Sequence, residues 1–350
     1  MRETTDVWTR LSSESKPIVM YGTGNGADKI LDVLYSRGIN VSDIFVSDAF
    51  FRGQSFRGFD VIRYSDVVSK YDDCIILLAF AIFRDDMMNF VKEIQQRYEV
   101  LAPEFPVFGT DYFTNESVLL YHDQICQMHE MLADDTSLYV FEDLLDYRIS
   151  GKLSYLMHSE TPREEVFENI IRLSSYEDYV DLGAYDGDTI REFLEMTGGR
   201  YNSIIALEPD EKNFKKLQRT AESLSLKNTE IYNLASWSEQ RVMSFDGGGG
   251  RNSSLNTGSR IAHASDVDSV LKGRRSTYIK MDVEGAEEET LRGLQKTLRQ
   301  YKPKLAVSAY HHTGDLFTLP ETILSINPDY KVFLRHHPYI PAWETNLYCV

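Results

Sequence analysis

The stretch Tyr179-Val-Asp-Leu-Gly-Ala-Tyr-Asp-Gly-Asp-Thr189 constrains the fold of this chain more than any other. An apolar run ending at Leu182 reads as a buried strand. Gly183 and Gly187 open the turn after it, and the helix that follows puts Ile190, Phe193 and Leu194 on one face. Asp188 or Thr189 supplies an oxygen for the exposed amides of the first helical turn. Glycine is needed here because a side chain would hold a flat ligand away from the backbone. A strand, a Gly-rich turn and a helix make one mononucleotide-binding half of a doubly wound parallel sheet, with the ligand outside the strand's carboxyl end.

The turn carries Asp181, Asp186 and Asp188 and no lysine. That density of carboxylates repels a pyrophosphate but not a cationic sulfonium with ribose hydroxyls. The reading favours S-adenosylmethionine over a dinucleotide; a tight turn without ligand is the plainer alternative.

At 350 residues the chain suits two domains, and 42% hydrophobic with 12% aromatic residues supply packed interiors. A net charge of -17 argues against nucleic acid or an anionic membrane surface as partner. Cys74, Cys126 and Cys349 are far apart, and two of them sit in apolar strand-like runs, so buried thiols are expected rather than disulfides or zinc. The polar start, Met1 to Lys16, lacks the apolar core of a signal peptide, and no run reaches membrane-spanning length. A cytoplasmic, soluble protein is the expectation.

Residues 1–110 show their own α/β rhythm: Pro17 to Tyr21, Ile44 to Ser47, Cys74 to Phe80 and Val100-Leu101 read as strands alternating with helices. Gly22-x-Gly24-x-Gly26 with Asp48 at the second strand's end approximates a dinucleotide layout, with the last glycine displaced by one position. Phe51 to Gly58 reads as a loop whose arginines either grip an anion or stay solvated. From 111 to 175 helical patterns take over: two or three helices link the sheets, with Tyr147, Arg148 and His158 as cleft candidates.

In 176–350 the order of parts becomes legible. Ser203-Ile-Ile-Ala-Leu-Glu208 is a second strand ending in a carboxylate, 27 residues after Asp181, near the spacing of a ribose-binding acid. Thr229 to Trp237 is the third strand and its exit, with Asn233, Leu234 and Ala235 where the chain passes an adenine; Arg241 to Phe245 adds a strand. The glycine-rich run Gly247 to Asn256 reads either as a substrate-side flap or as an inert loop. Thr277 to Asp282 is the fourth strand, turning through Glu284 and Gly285 into a helix, with Lys280 available to pair with Asp282. Leu305 to Tyr310 is the fifth, ending in His311-His312, and Lys331 to Arg335 with Thr345 to Val350 form a terminal pair around His336-His337. Asp282 and Glu284 therefore face the ligand's reactive end. They deprotonate a hydroxyl, steady a sulfonium or hold a divalent cation; His311 or His312 serves as base, as metal ligand or in packing.

These residues resemble the FkbM-type S-adenosylmethionine-dependent methyltransferases from about Leu144 onward. The resemblance rests on Asp181 to Thr189, Ala206-Leu-Glu-Pro-Asp210, Asn233-Leu-Ala235, Lys280-Met-Asp-Val-Glu-Gly-Ala-Glu287, Ser308-Ala-Tyr-His311, Leu334-Arg-His-His337 and Glu344-Thr-Asn-Leu-Tyr348. It implies a class I methyltransferase fold, a seven-stranded doubly wound sheet with the last strand antiparallel, preceded by an accessory Rossmann-like domain and a helical linker. It also implies O-methylation, often of sugar hydroxyls in glycan or secondary-metabolite biosynthesis. Met281 and Tyr185 are bulkier than the small residues common at such positions.

The reading places the cofactor on Asp181, Gly183, Ala184, Tyr185, Gly187, Asp188, Thr189, Glu208, Asn233, Ala235 and Asp282. The chemistry falls to Asp282, Glu284 and His311 or His312, acting on a small-molecule or glycan acceptor, and a divalent metal is not favoured. Two alternatives are a nucleotide- or NAD-dependent sugar-modifying enzyme working from the amino-terminal turn, and a non-catalytic S-adenosylmethionine-binding module.

Overall fold

Two parallel-dominated sheets share one apolar core in the computed structural model, which describes residues 1–108, 112–245 and 260–350. In the first part lie β1 (Ile18–Tyr21), β2 (Asp43–Val46), the small hairpin β3 (Ser55–Phe56) and β4 (Phe59–Asp60), β5 (Ile62–Arg63), β6 (Ile75–Leu78) and β7 (Glu99–Leu101). They give an all-parallel five-stranded sheet in the order β5-β2-β1-β6-β7. The runs Ile18–Tyr21 and Ile75–Leu78 are buried on both faces, as a helix-covered parallel sheet requires.

The second part contains β8 (Asp178–Leu182), β9 (Ser203–Leu207), β10 (Thr229–Tyr232), β11 (Ala235–Trp237), β12 (Arg241–Phe245), β13 (Arg260–Asp266), β14 (Tyr278–Met281), β15 (Lys304–Ser308), β16 (Val332–His336) and β17 (Thr345–Cys349). Seven of these form one sheet in the order β10-β9-β8-β14-β15-β17-β16, and β17 runs antiparallel to both neighbours. The order reverses between β8 and β14, the crevice where doubly wound sheets bind ligands. The expected α/β class, the seven strands and the antiparallel last strand are all present.

Other expectations need correction. The third strand is two: the chain breaks after Tyr232, where the Asn233 side-chain amide donates to the carbonyls of Glu208 and Pro209, and β11 joins β13 and β12 in a side sheet. Between 115 and 166 there are five helices rather than two or three: Asn115–Leu120, His122–Met131, Asp135–Ser150, Leu153–Ser159 and Arg163–Val166. The longest starts on Asp134, which accepts from the Ser137 amide, and stops at left-handed Gly151. Asp134 also pairs with Arg335 at 2.6 Å, tying this helix to β16.

The first unit is fastened to the second around one loop. Ile82 and Ile340 exchange backbone hydrogen bonds of 2.7 and 2.9 Å, Phe105 packs edge-on against Trp343, and the Phe108 amide donates to the His311 carbonyl at 3.3 Å. Among the described residues no helix is long and apolar enough to cross a membrane. The three cysteines are free; Cys74 and Cys349 are buried.

Candidate active site

A cavity of about 420 Å³ opens at the carboxyl ends of β8, β9, β14 and β15, within the usual size of a small-molecule site. Its first wall is the turn after β8. Gly183 has φ +80°, and a Cβ there would fall 1.8 Å from the Asp282 carbonyl oxygen, so the turn can lie against β14 only without a side chain. Of the expected cofactor contacts, Gly183, Tyr185, Asp188, Thr189, Glu208, Ala235 and Asp282 line the cavity.

Asp181, Ala184 and Gly187 lie behind that wall, and Asn233, exposed after β10, is outside the cavity lining. Asp181 is fully buried, accepts the Thr189 hydroxyl at 2.6 Å and lies 3.6 Å from Lys280 Nζ, which also donates to the Gly183 carbonyl at 2.9 Å. Lys280 thus pairs with Asp181 rather than Asp282, because the two are register partners on neighbouring parallel strands. Ala184 is core, and a Cβ at Gly187 would fall 2.9 Å from Thr220 of the next helix. Asp181, Ala184 and Gly187 shape the turn, while Asn233 holds the chain after β9 through the Glu208 and Pro209 carbonyls.

Glu208 stands at the end of β9. Its Oε2 accepts the Tyr185 amide and its Oε1 the Asp210 amide, both at 2.9 Å. Burial raises its pKa to about 7 against the opposing pull of those amides. A carboxylate has about four acceptor sites, so capacity remains for ligand hydroxyls.

The cavity lining also carries His311, Asp282 and Glu284. His311 Nε2 lies 3.4 Å from Asp282 Oδ1 and 3.6 Å from Glu284 Oε2, while Nδ1 lies 2.9 Å from Glu287 Oε1. The last contact is close but not aligned as a hydrogen bond, which makes it an ion pair. Burial lowers the imidazole pKa, but Glu287, Asp282 and Glu284 outweigh it and raise it to about 10. Glu284 is pushed up to about 8, chiefly by burial, with His311 opposing. Glu284 and Tyr185 both have left-handed backbones, φ +54° and +46°, a strain that functional sites tolerate.

Glu287 is the residue that sequence reasoning left without a role. It opens the helix Glu287–Arg292, is 1% exposed, and takes the Val283 amide at 2.9 Å on the oxygen that faces His311. Its place three residues after Glu284, in Glu-x-x-Glu, was the available signal. His312 is not in the cavity: its Nε2 sits 3.0 Å from the Gly285 carbonyl, closing the turn. Asp282, Glu287 and His311 bring ligand atoms within 4.8 Å of one another, the set that could hold a metal ion.

Tyr147 is fully buried, Arg148 pairs with Glu104 at 2.6 Å, and His158 pairs with Asp143, so none of the three reaches the cavity. The cavity instead takes Arg163, Tyr310, Tyr339 and Trp343 from distant segments. The proposed flap, Gly247 to Asn256, lies outside the described residues. At the amino-terminal glycine turn, a Cβ on Gly22 would fall 2.6 Å from Phe80 and one on Gly26 2.6 Å from Phe105. Those two glycines admit aromatic side chains of the protein itself.

Residues 181–339 match the family described as the Methyltransferase FkbM domain. Over 96% of this chain and 90% of its own, methyltransferase FkbM from Methylobacillus flagellatus superposes with a TM-score of 0.75 at 22% identity. SMU.1697c from Streptococcus mutans, solved in complex with SAH, covers 54% of this chain and 97% of its own, with a TM-score of 0.35 and 13% identity. No curated protein matches the sequence.

Proposed function

The chain carries a methyltransferase FkbM domain over residues 181–339, and from that premise we propose that it transfers a methyl group from S-adenosylmethionine to a hydroxyl of a sugar-like acceptor. The observation that carries this reading is that one cavity joins a ribose-suited carboxylate, Glu208, to a histidine set among carboxylates. Glu208 has acceptor capacity for two ribose hydroxyls, and Leu234 and Ala235 offer an apolar edge to a purine. Asp282 and Glu284 suit a sulfonium, since each gains from a nearby cation. When bound, the cofactor supplies an electrophilic methyl group on sulfur.

His311 Nε2 takes the acceptor's hydroxyl proton, and Glu287 on Nδ1 holds the ring and stabilises its charged form. With a pKa of about 10 the imidazole is charged at neutral pH in the empty cavity. A cation held by Asp282 and Glu284 would offset the carboxylates that keep this proton on His311 and so lower its pKa. Tyr339 and Trp343, which line the same cavity as Glu284, favour a sugar acceptor, whose C–H face stacks on an aromatic ring while its hydroxyls meet a carboxylate.

The test is mass-spectrometric detection of methylated product from S-adenosylmethionine and a panel of sugar acceptors, with His311→Asn beside the native protein. Methylation that falls about 10²- to 10⁴-fold in the variant supports the reading; no product with any hydroxyl acceptor counts against it. The set Asp282, Glu287 and His311 sustains a second reading, a divalent cation in place of the free base. Activity abolished by EDTA and restored by magnesium would select it.

A further inference from the structure

Cationic side chains lining the cavity among the described residues are Arg163, Lys280 and His311. Two have their partners: Lys280 lies between the Gly183 carbonyl and Asp181, and His311 lies among three carboxylates. Arg163, from the short helix just before the second sheet, is held less completely. Its Nη1 reaches Glu344 only at 3.5 Å, and its Nε lies 3.1 Å from Glu192 but is buried without an aligned hydrogen bond. Glu192 is one turn along from Thr189 on the helix Asp188–Thr197, and both line the cavity, so Arg163 flanks the same helix that begins at the Gly-rich turn.

The charges decide what fits. Arg163, Glu192 and Glu344 together carry one negative charge. A simple anion would add a second to a half-buried place, whereas a zwitterion leaves the balance unchanged and gives both ends a partner. We infer that Arg163, with Glu192 beside it, is the subsite for the α-amino acid end of the methyl donor, the guanidinium taking the carboxylate and Glu192 the ammonium. This assignment rests on the S-adenosylmethionine reading above. Planar guanidinium on carboxylate is the geometry in which arginine is stronger than lysine. The subsite therefore separates a methionine-bearing ligand from nucleosides that lack the amino acid.

Calorimetric titration tests it with two ligands, S-adenosylmethionine and its decarboxylated form, against the native protein, Arg163→Met and Arg163→Lys. The native protein should bind the decarboxylated ligand more weakly. Arg163→Met should lose about 10- to 100-fold in affinity for S-adenosylmethionine, keep its affinity for the decarboxylated ligand within about threefold, and Arg163→Lys should fall between. Retained binding of the decarboxylated ligand also reports that the variant is folded. Equal losses for both ligands would make Arg163 structural and overturn the assignment, as would no loss for either. A native protein that binds neither ligand overturns the functional reading and this subsite together; one that binds both equally overturns the subsite alone.

Discussion

Glu208 and His311 are buried ionisable groups whose surroundings shift them in useful directions. Burial holds the Glu208 carboxyl near pKa 7 in the free protein. Ribose hydroxyls donate to the ionised form, so donor binding pulls that pKa down and affinity rises with pH until about 7, then levels. S-adenosylmethionine affinity measured from pH 5.5 to 8 should therefore fall on the acid side of about 7. Glu208→Gln should show a flat profile and a loss of about 10- to 100-fold at neutral pH. At His311 the dependence has the same sign but lies at higher pH, since a charged base must lose its proton before it acts. The kcat/KM of the free enzyme should climb with pH toward about 10. Glu287→Gln removes one of the carboxylates that hold the proton, so that climb should move to lower pH while kcat drops. A residue with only a packing role would lower activity without moving the profile. Glu287 stood in plain view in the sequence, but nothing in its spacing says that its side chain turns inward onto a histidine 24 positions away. That contact exists because β14 and β15 are neighbours.

At the scale of elements, the buried strands were readable because four- and five-residue apolar runs bounded by turns have few other uses, and their order followed from one recognisable turn. The glycine turns show where such reading stops. After β8, Gly183 meets a backbone oxygen and has a left-handed φ, so Gly183→Ala should cost about 3 kcal/mol or more and lower the melting temperature sharply. At Gly24, φ is -102° and a Cβ would meet nothing within 4 Å. Gly24 is the cap of the helix Asn25–Ser36, so Gly24→Ser should match the native stability or exceed it by roughly a few tenths of a kcal/mol, with a melting temperature no lower than native. Melting curves of the two variants check both. The Gly-x-Gly-x-Gly spacing carried the same signal in sequence as a nucleotide turn, yet the close neighbours of Gly22 and Gly26 are Phe80 and Phe105, whose positions depend on tertiary packing. The side sheet of β11, β12 and β13 was likewise hidden, since short pairings between distant segments leave little periodicity.

Across the whole molecule, one apolar cluster runs from Val19, Tyr21 and Phe45 of the first sheet to Leu182, Val307 and Leu347 of the second. The loop bearing Tyr339 and Trp343 is pinned to the first unit through Ile82 and Phe105. The first unit thus buttresses the part of the cavity lined by Tyr339 and Trp343, a role that two separate α/β rhythms in the sequence did not disclose. Scanning calorimetry should show a single cooperative transition. Donor at 100 times its Kd should stabilise that whole transition by about 2.7 kcal/mol; two transitions with only the later one shifted would mean that the units are independent. The central claim, that this cavity is built for a sulfonium nucleoside, is tested most directly by calorimetric titration of the native protein with S-adenosylmethionine. Saturable one-to-one binding, displaced by S-adenosylhomocysteine and weakened by Glu208→Gln, is the predicted result. Absence of binding at millimolar S-adenosylmethionine would contradict the account.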